Sequence, residues 1–263
     1  MQKLQKPVGN VTRGTTNPNR LRRVDRWLAG PQGWRLRRAA DPLIVDLGYG
    51  AAPTTAVELH ARLGRVRPDV EIMGIEIDAA RVRAAKPLER SGLSFRQGGF
   101  ELPADGRRPV MVRAFNVLRQ YSEDEYRAHW DMVLSRLAPG GIFVDGTCDE
   151  IGRRSTWVEL DSNGPVSLSI SLRFGAFTLP SDVAERLPKA LIHRNVPGEK
   201  VHALLQAMDQ AWLTAAPQAS YGNRQRWLAM CADLRASGWP LMTGPARWRL
   251  GEITVAWDAV APS

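Results

Sequence analysis

The chain has 263 residues, of which 44% are hydrophobic and 24% are charged, a composition typical of a folded globular protein and not of a disordered one. No apolar run reaches the roughly 18 residues of a membrane-spanning helix, and the polar amino terminus has no signal-peptide core, so we expect a cytoplasmic protein. The two cysteines, Cys148 and Cys231, lie far apart, and the four histidines lack ligand spacing, so the sequence predicts neither a disulfide framework nor a metal site.

The net charge of +9 is concentrated at the amino terminus. Residues 1–40 contain ten of the 36 basic residues and one of the 27 acidic residues, so the rest of the chain carries 26 of each. Clustered arginine attracts phosphate without sequence recognition, and the arm therefore predicts a polyanionic partner or substrate, RNA being the main candidate. The alternative is that the arginines only form a solvated face, as charge runs usually do, and the sequence leaves both interpretations open.

The first regular element is a short helix within this arm. Residues 1–18 contain glycine and proline and are expected to be extended or mobile. From residue 19 to residue 28, Leu21, Val24 and Leu28 fall on one stripe, which predicts an amphipathic helix.

The stretch from residue 43 to residue 78 is typical of a nucleoside-binding unit. An apolar strand, Leu43–Leu47, leads into a turn with Gly48 and Gly50, then a helix, and then a second strand that closes on Glu76. The glycines allow positive φ angles and leave room for a ligand against the main chain. A carboxylate at the end of the second strand can accept hydrogen bonds from a ribose diol.

The spacing of this motif indicates which nucleoside cofactor is expected. The dinucleotide fingerprint needs a third glycine and an acid about 20 residues later. Here Ala52 replaces the last glycine, and Glu76 lies 28 residues after Gly48. With Asp46, Gly48 and Gly50 as an acid followed by alternating glycines, the chain resembles the class I S-adenosylmethionine-dependent methyltransferases.

That resemblance implies roles for four residues. S-adenosylmethionine would be the cofactor, Asp46 would help to hold its methionine amino group, Glu76 would bind the ribose, and Ile77 would lie beside the adenine. It also implies that the helix of the arm lies over the cofactor cleft. Arg13 would then be a partner for the cofactor carboxylate, with a solvent-facing arginine as the alternative.

The third and fourth strands add further site candidates. After the predicted strand Leu93–Gln97, the family usually has an acid that binds the adenine amino group. Here two glycines follow the strand instead. Backbone groups of Gly99 and Phe100, or the Gln97 amide, are expected to replace the missing acid. Residues 109–116 form a fourth strand. The run FNVLRQY resembles the fourth motif of many class I methyltransferases, which makes Asn116 a site candidate, or alternatively a helix cap.

No catalytic residue is assigned from the sequence. Tyr121 and Glu123, just past the fourth strand, are the polar groups nominated as near the methyl acceptor, and surface helix positions are the alternative for both. Methyl transfer from a sulfonium can proceed through positioning alone, so the lack of a paired acid and base is compatible with this activity.

The remaining elements complete an α/β fold. A helix is predicted at residues 122–137 and a fifth strand at 142–144, in the run LAPGGIFVDGT that matches the family's fifth-strand motif. Further predicted elements are a hairpin of strands at 157–160 and 166–172, helices at 181–193, 199–215 and 223–236, and a closing hairpin of strands at 246–250 and 252–258.

These elements predict a seven-stranded, Rossmann-like methyltransferase sheet, mostly parallel with an antiparallel last strand and with helices on both faces. The predicted organisation is a basic amino-terminal arm at residues 1–38 and a methyltransferase domain at 39–263. An insertion at about 148–222 is expected to cover the carboxyl edge of the sheet.

Three functional hypotheses follow from the sequence. The first is an S-adenosylmethionine-dependent methyltransferase that acts on RNA or another polyanion. The second is a methyltransferase that acts on a small molecule, and the third is a non-catalytic protein that binds S-adenosylmethionine.

Overall fold

The structure is a computed structural model that describes residues 7–11 and 17–263. Arg13 lies outside the described residues, so its contact with the cofactor carboxylate stays a prediction. In the described part of the chain, no helix is both long and apolar enough to cross a membrane.

Eight strands form in the described residues, and their order is β3-β2-β1-β4-β5-β6-β7-β8. The strands are β1 (Leu43–Leu47), β2 (Glu71–Glu76), β3 (Leu93–Gln97), β4 (Met111–Phe115), β5 (Ile142–Cys148), β6 (Arg154–Asp161), β7 (Gly164–Leu172) and β8 (Glu252–Ala256). The first five strands follow the strand order of the Rossmann fold, which confirms the predicted Rossmann-like α/β architecture. The predicted number of seven strands is wrong, because the hairpin predicted inside the insertion supplies β6 and β7 of this order.

Nine α-helices form in the same residues. They are α1 (Arg22–Ala29), α2 (Gly33–Arg38), α3 (Thr54–Leu63), α4 (Ala79–Ala85), α5 (Tyr126–Leu134), α6 (Lys189–Ile192), α7 (Lys200–Thr214), α8 (Asn223–Ala236) and α9 (Pro245–Trp248). A 3₁₀ turn that contains Pro87, Lys86–Leu88, follows α4, because proline cannot donate the hydrogen bond that would continue the helix.

Two predicted elements are wrong, and a proline explains each. The helix predicted at 181–193 is a 3₁₀ helix, Pro180–Arg186, followed by the short α6, because Pro188 cannot donate the hydrogen bond that would continue a helix. The strand predicted at 246–250 is instead the helix α9. Pro245 stands at its first position, where the fixed φ of proline favours a helical start.

By their contacts, the residues fall into two compact units. Unit 1 comprises the described residues up to Asp145, together with Glu150–Gly152 and Leu160–Gly164. Unit 2 comprises Gly146–Asp149, Arg153–Glu159 and Pro165–Ser263. The predicted boundaries at residues 38, 148 and 222 stay a prediction.

The parallel strands of unit 1 place the ends of neighbouring strands side by side. β1 pairs in parallel with both β2 and β4, so that Leu47 lies opposite Ile75 and also opposite Ala114. β2 pairs in parallel with β3, and Glu76 lies opposite Gln97. The loops that follow β1, β2 and β3 therefore lie together at the carboxyl ends of the strands, which is where open α/β sheets bind ligands.

Unit 2 has its own apolar core. β7 and β8 are antiparallel, with Ile170 opposite Ile253, both buried. Rings from the loop after β7 and from α7 and α8 pack together, and Trp212 lies 6.5 Å from Trp227 between ring centroids. Both tryptophans are buried, so this aromatic cluster belongs to the core of unit 2.

One buried carboxyl in unit 1 has few polar partners. Asp145 of β5 is 1% exposed, and the Nε1–H of Trp130 donates to its Oδ2 at 3.1 Å. Burial raises the pKa of Asp145 from its ordinary value of 3.8 to about 7, although the hydrogen bond from Trp130 acts in the opposite direction.

This raised pKa predicts a pH-dependent stability. Between pH 3.8 and about 7 the folded chain keeps a proton on Asp145 that the unfolded chain has released, so stability falls as the pH rises through this window. Asp145→Asn removes the titration and keeps an acceptor for Trp130. We expect it to stabilise the protein by about 2 to 3 kcal/mol more at pH 8 than at pH 5, measured by urea unfolding.

Asp131→Asn is a suitable control, because Asp131 lies on the same helix as Trp130 but is exposed. It should change the unfolding free energy by less than about 0.5 kcal/mol at either pH. An Asp145→Asn effect that does not vary with pH would contradict the raised pKa.

Candidate functional site

A small cavity opens at the carboxyl ends of the parallel strands in unit 1. Its lining consists of Val8, Asn10, Leu47, Gly48, Glu76, Ile77, Gly98, Gly99, Phe100, Val117 and Tyr121. Five residues predicted from the sequence for cofactor binding are among them, namely Gly48, Glu76, Ile77, Gly99 and Phe100. Asp46, Gly50 and Asn116 are not in this lining, and their roles stay predictions.

The glycine turn after β1 has the backbone geometry expected from its sequence. Gly48 has φ 70° and Gly50 has φ 87°, both in the left-handed region that favours glycine. The N–H of Gly48 donates to the carbonyl of Ile75 at 2.7 Å, and the N–H of Gly50 donates to Oε2 of Glu76 at 3.0 Å. The turn is therefore fixed to the end of β2 at two points.

Glu76 is a buried carboxylate with a fixed orientation. Its side chain is 1% exposed, and besides the Gly50 N–H it accepts the Ile77 N–H at 3.0 Å on Oε1. The guanidinium of Arg81 lies 3.7 Å from Oε2. The N–H of Asp78 also donates to Oε1, at 3.4 Å. Because each carboxylate oxygen offers about two lone-pair sites, Oε2 keeps capacity for a further donor, such as a ribose hydroxyl.

The loop after β3 holds an acid that sequence reasoning missed. Glu101 is 8% exposed, and its Oε1 accepts the Gly99 N–H at 2.9 Å. Its Oε2 accepts the Val8 N–H at 2.8 Å. The Gln97 amide, expected as a substitute for the missing acid, donates to the Ile77 carbonyl at 3.1 Å. A clue in the sequence was the pair of glycines before Glu101, which permits a tight turn that brings this carboxylate back to the loop.

Aromatic rings pack around Tyr121 beside the cavity. Tyr121 is 5% exposed, and its ring contacts Phe100 edge-on at 5.6 Å between centroids. The ring of His129 stacks on Phe100 at 4.1 Å. Of the two groups nominated near the acceptor, Tyr121 lines the cavity, whereas Glu123 is not in its lining.

Asp46 lies in a buried ion-pair network. Its Oδ1 accepts Nε of Arg113 at 2.9 Å, its Oδ2 lies 2.8 Å from another nitrogen of the same guanidinium, and Thr55 donates to Oδ2 at 2.8 Å. Arg113 lies directly opposite Asp46 in the pairing of β1 with β4. The carboxylate is thus held inside the sheet, and the structure gives it partners that the resemblance did not imply.

The same arginine reaches the amino-terminal arm. Arg113 also pairs with Asp25 of α1, and Asp25 pairs in turn with Arg62 of α3. Burial alone would lower the pKa of Arg113, but the carboxylates of Asp46 and Asp25 outweigh this effect and raise it, so the guanidinium stays charged. Burial raises the pKa of Asp25, and the guanidinium groups of Arg113 and Arg62 oppose this rise.

No protein-family model matches the chain, and no curated protein matches it by sequence. Among solved structures, it is similar to the glycopeptide N-methyltransferase MtfA, with 17% identity and a TM-score of 0.36 over 47% of this chain and 51% of that chain. The match thus spans about half the length of MtfA. The CcbJ methyltransferase from Streptomyces caelestis matches at 18% identity and a TM-score of 0.34, over 63% of this chain and 72% of that chain.

A third similar structure is the magnesium protoporphyrin IX methyltransferase from Synechocystis PCC 6803 with bound SAH, at 14% identity and a TM-score of 0.36, over 52% of this chain and 63% of that chain. The fold assignment of this chain rests on its own strand order and parallel register. At the level of the fold, these features agree with the resemblance to class I methyltransferases.

The buried network predicts a large loss of stability when its central cation is removed. Arg113→Met leaves the carboxylates of Asp25 and Asp46 buried without their shared partner, and we expect the unfolding free energy to fall by about 3 to 5 kcal/mol. Chemical denaturation followed by circular dichroism would measure this change.

Arg107→Met is the matched control. Arg107 also pairs with two carboxylates, those of Asp41 and Glu71, but its side chain is 35% exposed. Removing this surface arginine should cost about 1 kcal/mol or less. Equal losses for the two variants would show that burial does not set the strength of the network.

Proposed function

We propose that this chain binds S-adenosylmethionine and transfers its methyl group to an acceptor. The observation that carries the proposal is the buried Glu76 carboxylate, fixed by the N–H groups of Gly50 and Ile77 at the end of β2 and facing a cavity beside a glycine turn. A nucleoside with a free ribose diol can supply a further hydrogen-bond donor to this carboxylate.

The residues of the cavity are suited to the parts of this cofactor. Ile77, Phe100 and Val117 supply an apolar surface for the adenine ring, and Glu76 supplies acceptors for the ribose hydroxyls. Gly48 leaves the main chain accessible where the methionine portion would lie. Asp46 would act on that portion through the turn and not by direct contact, because Arg113 and Thr55 already bind its carboxylate.

When bound, the cofactor supplies a methyl group on a positively charged sulfur. Held by Glu76 and the glycine turn, the cofactor would give this methyl group to an acceptor lone pair, and the electron pair of the broken carbon–sulfur bond would return to sulfur. A proton of the acceptor, where it has one, then passes to solvent. The chain contributes by orienting the reactants and by excluding water around them, which needs no strong acid or base.

The proposed acceptor is RNA or another polyanion, and the support for it is the exposed arginine of the arm. Arg37 and Arg38 of α2 are exposed, and the exposed ring of Trp34 lies under the guanidinium groups of Arg35 at 4.6 Å and Arg38 at 5.6 Å. Such groups can bind phosphate through charge alone. A small-molecule acceptor is the alternative.

Binding of the cofactor product tests the role of Glu76. Glu76→Gln removes the charge that would strengthen the hydrogen bonds from the ribose hydroxyls, and we expect affinity for S-adenosylhomocysteine to fall about 10- to 100-fold in isothermal titration calorimetry. Glu71→Gln is the control, because Glu71 lies on the same strand but is exposed at its other end. Unchanged binding by Glu76→Gln would remove the main support for the proposal.

Transfer of a labelled methyl group tests the acceptor. Incubation of the protein with labelled S-adenosylmethionine and separate RNA and small-metabolite fractions should label the RNA fraction. The double variant Arg37→Gln/Arg38→Gln should bind RNA more weakly. The slope of the logarithm of its association constant against the logarithm of salt concentration should become shallower by about 2, since two phosphate contacts are lost. Arg249→Gln, at an exposed position of unit 2, is the control.

The distribution of the label decides between the hypotheses. Label in the metabolite fraction alone would favour a small-molecule acceptor. A protein that binds the cofactor product but labels neither fraction would match the non-catalytic alternative.

A further inference from the structure

The segment Pro7–Val11 is attached to the cavity by hydrogen bonds on both sides. On one side, Val8 donates its N–H to Glu101 at 2.8 Å and accepts the N–H of Phe100 at 3.1 Å. On the other side, the N–H of Asn10 donates to the Tyr121 hydroxyl at 2.5 Å, and the Gln120 side chain donates to the Asn10 carbonyl at 3.0 Å. The segment therefore spans from the loop after β3 to the residues after β4.

Two glycines allow this close approach. Gly9 has φ 136°, and a Cβ there would lie 2.7 Å from the Tyr121 hydroxyl and 2.8 Å from Cδ1 of Ile77. A Cβ on Gly99 would lie 1.9 Å from the carbonyl oxygen of Val8. Any side chain at either position would push the segment away from the cavity.

The segment lies against the residues assigned to the nucleoside base. A Cβ on Gly9 would lie within 4 Å of both Ile77 and Phe100, and its neighbours Val8 and Asn10 line the same cavity as Glu76. A ligand in this cavity would be enclosed on one side by the loops that follow the strands and on another side by residues 8–10.

We propose that Pro7–Val11 forms a wall of the nucleoside site, and that Glu101 and Tyr121 are positioning residues that hold this wall in place over the bound cofactor. This inference rests on the proposed function. Its consequence is kinetic: the segment holds the bound cofactor in place, so weakening the hydrogen bonds of the segment speeds dissociation.

Two variants of the full-length chain test the wall. Tyr121→Phe removes the hydroxyl that accepts the Asn10 N–H, and we expect the dissociation rate of S-adenosylhomocysteine to rise about three- to tenfold. Gly9→Val displaces the segment and should raise the rate at least as much. Tyr221→Phe is the control, because Tyr221 is an exposed tyrosine of unit 2.

A double variant, with both Gly9 and Tyr121 replaced, shows how Tyr121 slows release of the ligand. Tyr121 could act by holding the segment in place or by contacting the cofactor directly. If Tyr121 acts through residues 8–10, Gly9→Val/Tyr121→Phe should release the ligand no faster than Gly9→Val alone. Hydrogen exchange gives an independent measurement, since the amides of Val8 and Asn10 should exchange more slowly when S-adenosylhomocysteine is bound to the wild-type protein.

The possible outcomes are distinct. Unchanged or slower dissociation in both single variants, with normal binding by the wild type, would overturn this inference and leave the proposed function intact. Fully additive effects in the double variant would also overturn the role of Tyr121 in holding the segment. A wild-type protein that does not bind S-adenosylhomocysteine would overturn the proposed function together with this inference.

Discussion

The ion-pair network centred on Arg113 is the constraint on which the organisation of unit 1 depends. A guanidinium that is fully buried in the sheet requires compensating carboxylates, and Asp46 and Asp25 supply them from β1 and α1. Since a buried charge without its partner is costly, the strand, the helix and the neighbouring α3 are restricted to arrangements that keep these contacts. The network therefore fixes the arm against the strand whose end carries the glycine turn.

The candidate site is built largely from main-chain groups. Amide groups of the glycine turn and of Ile77 fix the carboxylate of Glu76, and an amide of the loop after β3 fixes Glu101 in the same way. Backbone amides at strand ends are already positioned by the sheet, so little side-chain freedom remains to be lost when a ligand binds. Such preorganisation favours affinity without adding contacts.

The parts of the fold that depend on local pattern could be predicted from the sequence. The strands β1 to β4 and the meeting of Glu76 with Phe100 followed from apolar runs and from the rule that parallel strands share an edge. The helix interruption at Pro188 and the helical residues 245–248 were missed, because the apolar pattern received more weight than the prolines. The partners of Arg113 are far away in the chain, and no local periodicity indicates them.

The burial of Asp25 has a consequence for the ions around the protein. Asp25 is the single acidic residue among the first 40, and it faces the interior, where it pairs with arginines from outside the arm. The solvent-facing side of α1 and α2 therefore carries no carboxylate of its own. Small anions from solution gather near the exposed Arg37 and Arg38 of α2, and a polyphosphate chain that displaced them would gain the entropy of their release.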